Sequence, residues 1–338
     1  MIDKPQTNPP SSGCERLWPL RWCRLKGFTL LELLVAMAVL SLMAVMMLSL
    51  TSSAQRLARQ TFSRVEQFRE ARRAFERINQ TLSQATLNSY WDYVDSSGKP
   101  RTNASFTPVK YFRLSELRYL QTNASLFTAP HGGTMCGKAV FFQAPLGKSD
   151  SVSGLNSLLN TVGFFIERGS DSNMRPPTVT AAKARYRLFE LVEPTENLTI
   201  YSLTSGNSTY TGTAWFTTPL AAAAYSHRLA DNIVALVFQA QYLATNSSPT
   251  NSFDYASTPQ GKATQAIEEN NLPPNVRVTM VAVDENSARR IQDLGISLTD
   301  AKNDTDLGTL ETELKSNNLN YRKFDSDVSI GPAKWSSK

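Results

Sequence analysis

The chain has little with which to hold a metal or build a disulfide framework. Only two histidines, His131 and His227, occur in 338 residues, and neither belongs to a His-Glu-x-x-His element, so no metal centre is expected. Of three cysteines, Cys14 and Cys23 precede the first long apolar run. If the chain is cut before that run, Cys136 is left alone and no intramolecular disulfide can form. Its thiol could be structural, bridging or reactive, and burial as a structural thiol is the expectation. Nucleophile and phosphate motifs are missing too. No Gly-x-Ser-x-Gly occurs, Ser96-Ser-Gly-Lys99 falls in a turn, and Phe142 occupies the place of the first glycine of a P-loop ending in Gly147-Lys-Ser149. The expectation is a protein that is not an enzyme and needs no cofactor.

What is present is a membrane-grade run. Phe28 to Leu50 is apolar throughout except for Glu32 and a few hydroxyls. As a helix it reaches about 34 Å, against a hydrocarbon core of about 30 Å. A secretory h-region is usually only about 7–15 residues and closes on an Ala-x-Ala site, which this run lacks. Arg16, Arg21, Arg24 and Lys26 crowd its N-terminal side, which keeps that end in the cytoplasm and sends the body across the membrane. Arg56, Arg59 and Arg64 at the other end weaken this asymmetry without reversing it.

Residues 1–27 hold Pro5, Pro9, Pro10, Ser11, Ser12 and Gly13 and read as a disordered leader. Losing them lowers the formal charge from +6 to about +3, so the basic balance argues little for a nucleic-acid partner. Glu32 is the residue that needs a reason. An ionised carboxylate in a bilayer costs several kcal/mol unless it is shallow or paired. Cleavage after Gly27 would create a free amine on Phe28, four residues from Glu32 and at membrane depth.

Beyond Leu50 the chain continues without a helix breaker. Val65, Phe68, Ala71, Phe75, Ile78, Leu82 and Ala85 recur at three- and four-residue steps, which predicts one helix from Phe28 to about Asn88, roughly 90 Å long. Glu66, Glu70 and Glu76 interleave with the arginines of this stretch, which reads as a solvated face rather than a nucleic-acid helix. The expected organisation is a leader at 1–27, a transmembrane helix at 28–50, an amphipathic continuation at 51–90 and a body at 91–338. Within the body, strands are expected at 109–113, 138–143, 161–168, 185–192, 228–242, 272–284 and 321–330. Short helices are expected at 287–294 and 307–316, a surface loop at 197–219 and a flexible excursion at 245–262. The class is α+β, a long helix packed on an antiparallel sheet. Asp300, Asp304, Asp306 and Glu311 depart from EF-hand spacing and read as a solvated loop before a helix.

Lys26-Gly-Phe-Thr-Leu-Leu-Glu32 resembles the class III leader and N-terminal motif of type IV pilins and type II secretion pseudopilins. The resemblance implies cleavage between Gly27 and Phe28 by a prepilin peptidase and N-methylation of Phe28. It also places Glu32 at the fifth mature position, where it would meet the amine of a neighbouring subunit. The implied partners are other pilin-like subunits, the peptidase and an inner-membrane assembly platform. Asp231-Asn-Ile-Val-Ala-Leu-Val-Phe and Leu272-Pro-Pro-Asn-Val-Arg-Val-Thr-Met-Val are similar to paired strands of J-type minor pseudopilins and W-type minor pilins. The tail from Asn320 to Trp335 and Phe141-Phe-Gln-Ala-Pro145 resemble the Verru_Chthon cassette proteins C. A filament subunit is therefore expected, and a membrane-anchored extracytoplasmic enzyme or binding protein is the alternative.

Overall fold

The computed structural model describes residues 29–87, 89–94, 110–116, 119–172, 178, 183–198, 213–243, 248–257, 268 and 271–333. The leader with Gly27, the residue Phe28, the Ser96–Lys99 turn and the tail from Lys334 onward lie outside them. Helix α1 runs Leu30–Ser83. No glycine or proline occurs between Phe28 and Ser97, so nothing in the covalent chain interrupts its hydrogen-bond ladder. The chain divides into two compact units, Met1–Arg59 and Gln60–Lys338.

In the first unit, the helical residues from Leu30 to Arg56 are all exposed and make one candidate membrane span. Ser41 Oγ donates to Ala38 O, Thr51 Oγ1 to Met47 O and Ser52 Oγ to Ser49 O, each at 2.8 Å. These hydroxyls satisfy themselves on the preceding turn, a requirement wherever no water is at hand.

In the second unit α1 becomes amphipathic. Ala71, Ala74, Phe75, Ile78 and Leu82 are buried, whereas Arg72 and Glu76 point outward and pair at 2.9 Å. After Ser83 the chain tightens through Gln84 N to Thr81 O and Ala85 N to Leu82 O, ending the helix a turn before Asn88. Strands β1 (Ser89–Val94) and β2 (Lys110–Glu116) then pair as an antiparallel ribbon.

Six strands form the larger sheet, all pairs antiparallel: β3 (Leu120–Asn123), β4 (Thr134–Pro145), β5 (Leu159–Ser170), β6 (Ala184–Glu193), β7 (Ser226–Asp231) and β10 (Tyr255–Ala256), in the order β10-β3-β4-β5-β6-β7. The strands expected at 161–168 and 185–192 are the antiparallel β5–β6 pair. The smaller sheet has the order β12-β11-β8-β9, from β8 (Ile233–Leu243), β9 (Pro249–Ser252), β11 (Asn275–Val283) and β12 (Tyr321–Ser329). Helices α3 (Glu285–Asp293) and α4 (Asp304–Ser316) lie between β11 and β12 in the chain. The architecture is α+β, an N-terminal apolar helix followed by antiparallel sheets, and it is consistent with a pilin-like fold.

The strand expected over 228–242 is two strands in two sheets, broken at Asn232. This residue has φ 62°, its N–H donates to Tyr186 O at 2.7 Å, and its carbonyl accepts from Val283 N at 2.9 Å. A left-handed residue turns the chain from one sheet to the other, and asparagine tolerates that conformation better than most residues. The region 245–262 is also more structured than expected, since β9 and β10 lie in it and Tyr255 is fully buried.

Alternate residues of the larger sheet face two cores. Val140, Phe142, Val162, Phe164 and Leu188 pack with α1, β8, β11, α3 and α4. On the opposite face Phe141, Phe165, Phe189 and Leu191 are covered by α2 (Ala214–Ala221), through Trp215, Phe216 and Leu220. Burial on both faces is why these strands read as nearly continuous apolar runs. Helix α2 lies within the stretch expected to be a surface loop.

Candidate assembly site at the head of the apolar helix

Thr29 and Glu32 close the head of α1 on each other. Thr29 N and Oγ1 donate to Glu32 Oε2 at 3.1 and 3.2 Å, and Glu32 N donates back to Thr29 Oγ1 at 3.2 Å. This is a capping box, in which threonine and the glutamate three positions on satisfy two otherwise orphaned backbone donors. The sequence carries the signal for it, Thr29-Leu-Leu-Glu32, a threonine followed three residues on by a glutamate at the start of an apolar run. The box also sets a carboxylate at the positive end of the helix dipole, where an anion is favoured.

Capping leaves the charge itself unanswered. Glu32 is exposed and makes no ion pair among the described residues. The first cation after it on the helix is Arg56, 24 positions on and about 36 Å away along the axis. No cation on this stretch of helix can neutralise Glu32, so a partner charge must come from the chain before Thr29 or from another molecule. Gly27 and Phe28, the predicted cleavage and methylation positions, lie outside the described residues.

The other sequence candidates are scattered and structurally engaged. His131 stacks on Phe189 with ring centroids 4.5 Å apart, and burial pushes its pKa down. His227, on β7, sits with Nε2 3.3 Å from Lys148 Nζ. Cys136 is half-buried rather than buried, and its Sγ donates weakly to Thr134 O at 3.5 Å. Burial, reinforced by the Asp300 carboxylate, pushes the thiol up to about 11.

Each acid of the 300–311 cluster has a structural task. Asp300 accepts from Gly137 N and pairs with Lys302 at 3.1 Å, and Asp304 accepts from Gln239 at 3.2 Å. Asp306 accepts from Lys302 N at 3.0 Å, and Glu311 pairs with Lys323 at 3.0 Å. Among the described residues no group of three or more His, Cys, Asp or Glu side chains is placed to hold a metal.

Residues 23–48 match the family model of the prokaryotic N-terminal methylation motif. No curated protein and no solved structure shows a significant similarity to the chain. The matched residues include Gly27, Phe28, Thr29 and Glu32, so the chain carries a prepilin-type leader joined to an apolar anchor helix, an arrangement consistent with pilins and pseudopilins.

Proposed function

We propose that the chain is a minor structural subunit of a type IV pilus-like or type II secretion filament. Prepilin peptidase cuts between Gly27 and Phe28, Phe28 is N-methylated, and the apolar helix holds the subunit in the inner membrane with the body on the periplasmic side. An assembly platform then extracts it into a filament with other pilin-like subunits, where the new amine of one subunit answers the Glu32 carboxylate of its neighbour. The protein does no catalysis in this role. The observation that carries the reading is that Glu32 makes no ion pair among the described residues, on a helix with no cation within about 36 Å beyond it, inside a matched methylation motif.

The size of the body suits a minor or tip subunit better than a major one packed thousands of times. Within the class, the tail and the β4 sequence favour the Verru_Chthon cassette proteins C. The test is N-terminal sequencing and mass measurement of the protein extracted from membranes. A chain beginning at methylated Phe28 supports the assignment. An intact leader would leave a tethered extracytoplasmic domain of another kind.

A further inference from the structure

The face of the larger sheet under α2 ends in a buried acid with no counter-charge among the described residues. Glu193, at the end of β6, lies opposite Thr161 on β5, which lies opposite Gln143 on β4. The three side chains make one row, and Glu193 is only 2% exposed. In the next row Ser226 of β7 lies opposite Leu191. Glu193 Oε2, Thr161 Oγ1 and Ser226 Oγ are buried and complete no hydrogen bond of good geometry, although the carboxyl and the Thr161 hydroxyl are close enough to influence each other. Buried polar atoms without partners are rare and call for an explanation.

The surrounding charges are few, and each is engaged elsewhere. Lys148 Nζ is directed at Val192 O and His227 Nε2, both at 3.3 Å. Glu196 is bound by Ser151 Oγ at 2.6 Å and by Ser149. Arg228, farther along β7, pairs with Asp231 at 3.3 Å. Helix α2 and the Ala223–Tyr225 turn bring no charge, and from Asn197 to Ser226 the sequence contains no Asp, Glu, Lys, Arg or His. In a chain of which 19% is charged, a neutral stretch of that length follows the buried acid within a few residues.

We infer that Glu193 is held as a neutral carboxylic acid and serves as a proton-operated latch for the α2 segment. Protonated, it can donate to Thr161 Oγ1 and leave the row dry. Ionised, it finds no cation and must draw in water, which lifts α2 from the aromatic floor of Phe141, Phe165 and Phe189. Burial pushes this carboxyl up to about 7, with the Thr161 hydroxyl opposing, so the latch releases in the neutral range. For an acid whose pKa is raised by closure, the closed state has its full advantage below about pH 4.5 and loses it as the pH rises to about 7.

The test is amide hydrogen exchange of the full mature chain in detergent, read on peptides covering Ala214–Ala221 and corrected for intrinsic exchange. Protection there is expected to fall roughly tenfold per pH unit between about pH 5 and pH 7 and then to level off, while α4 stays unchanged. Glu193→Gln should keep α2 protected across the range, and His227→Gln should leave the wild-type profile intact. A pH-independent wild type, or a profile that survives Glu193→Gln and vanishes with His227→Gln, overturns the latch. Should Glu193→Gln fold poorly by circular dichroism, Thr161→Val serves instead. Loss of that hydroxyl, which opposes the upward shift of the carboxyl, must then move the wild-type profile to higher pH, and an unshifted profile counts against the proposal.

Discussion

Gly163→Ala tests the core under α2 most directly. Gly163 lies on β5 between Phe141 of β4 and Leu191 of β6. A Cβ built there would stand 2.4 and 2.6 Å from Cδ1 and Cε1 of Phe141 and 3.4 Å from the Leu191 Cβ. The contact with Leu191 is tolerable, but the ring must retreat by about 1 Å to reach ordinary contact. Its retreat is blocked because Phe141 already stacks on Phe216 at 4.1 Å and meets Phe127 edge-on at 6.0 Å. Overpacking of this kind costs about 1–3 kcal/mol, and the lower unfolded-state entropy of alanine returns about 0.4–1 kcal/mol. A net loss of about 1.3 kcal/mol follows, or roughly 3–5 °C in Tm for a body of this size. Urea unfolding of the mature chain in detergent, followed by circular dichroism, measures it. Phe141→Leu in the same chain should recover at least about 1 kcal/mol relative to the sum of the single variants. A Gly163→Ala protein within about 0.5 kcal/mol of wild type would mean that the ring does not lie over the glycine and that the β4–β5 register is wrong.

Glu32→Gln keeps an oxygen for the Thr29 N–H and removes only the charge. Leader cleavage and insertion should be unchanged, while sheared filaments should contain at least about tenfold less of the variant, the equivalent of about 1.4 kcal/mol. Arg77→Met strands Glu190, whose side chain is 8% exposed and which takes its ion pair from Arg77 at 2.9 Å. Because the Arg77 end is 43% exposed, the cost should be about 1–3 kcal/mol, below that of a fully buried pair. Adding Glu190→Gln should restore most of it in the same urea titration. At pH 8 iodoacetamide should label Cys136 roughly 100-fold more slowly in the folded chain than in urea, because the thiol is pushed up to about 11. Equal rates would show that its surroundings are wet.

The helix was readable because it follows from local rules. An unbroken run without glycine or proline must be helical in lipid, and the 3–4 spacing of Ala71, Phe75, Ile78 and Leu82 selects its buried stripe. The β5–β6 pair was readable from its aromatic and β-branched runs. What stayed hidden depends on partners distant in sequence. Ile233 to Tyr242 continues the apolar run from Arg228, and only the left-handed backbone at Asn232, stabilised by Tyr186 and Val283, assigns the two parts to different sheets. Helix α2 has no clear sequence signal because Ala214–Ala221 is short and contains Pro219. Its stability comes from Phe216 meeting Phe141 and Phe127 rather than from propensity.

The two acids of greatest interest differ in how far sequence could find them. Glu32 interrupts an apolar run, so its cost is visible in one dimension, and its solution, an amine at the same depth, follows from the bilayer as solvent. Glu193 closes the strand Arg185–Glu193, where a terminal glutamate reads as a solvated strand end. It is buried in a row with Thr161 and Gln143, on the sheet face that carries α2 one row further on, and only the pairing of three strands brings these together. The charge-free stretch from Asn197 to Ser226 was the available clue, because a surface loop gains solubility from charge and has no reason to exclude it. A neutral segment of that length is better read as one that packs on something, and an acid at its entrance as one that must be protonated or paired. The same logic separates their tests. Glu32 must fail in assembly with its fold intact, and Glu193 must change the pH response of one segment whether or not the subunit assembles.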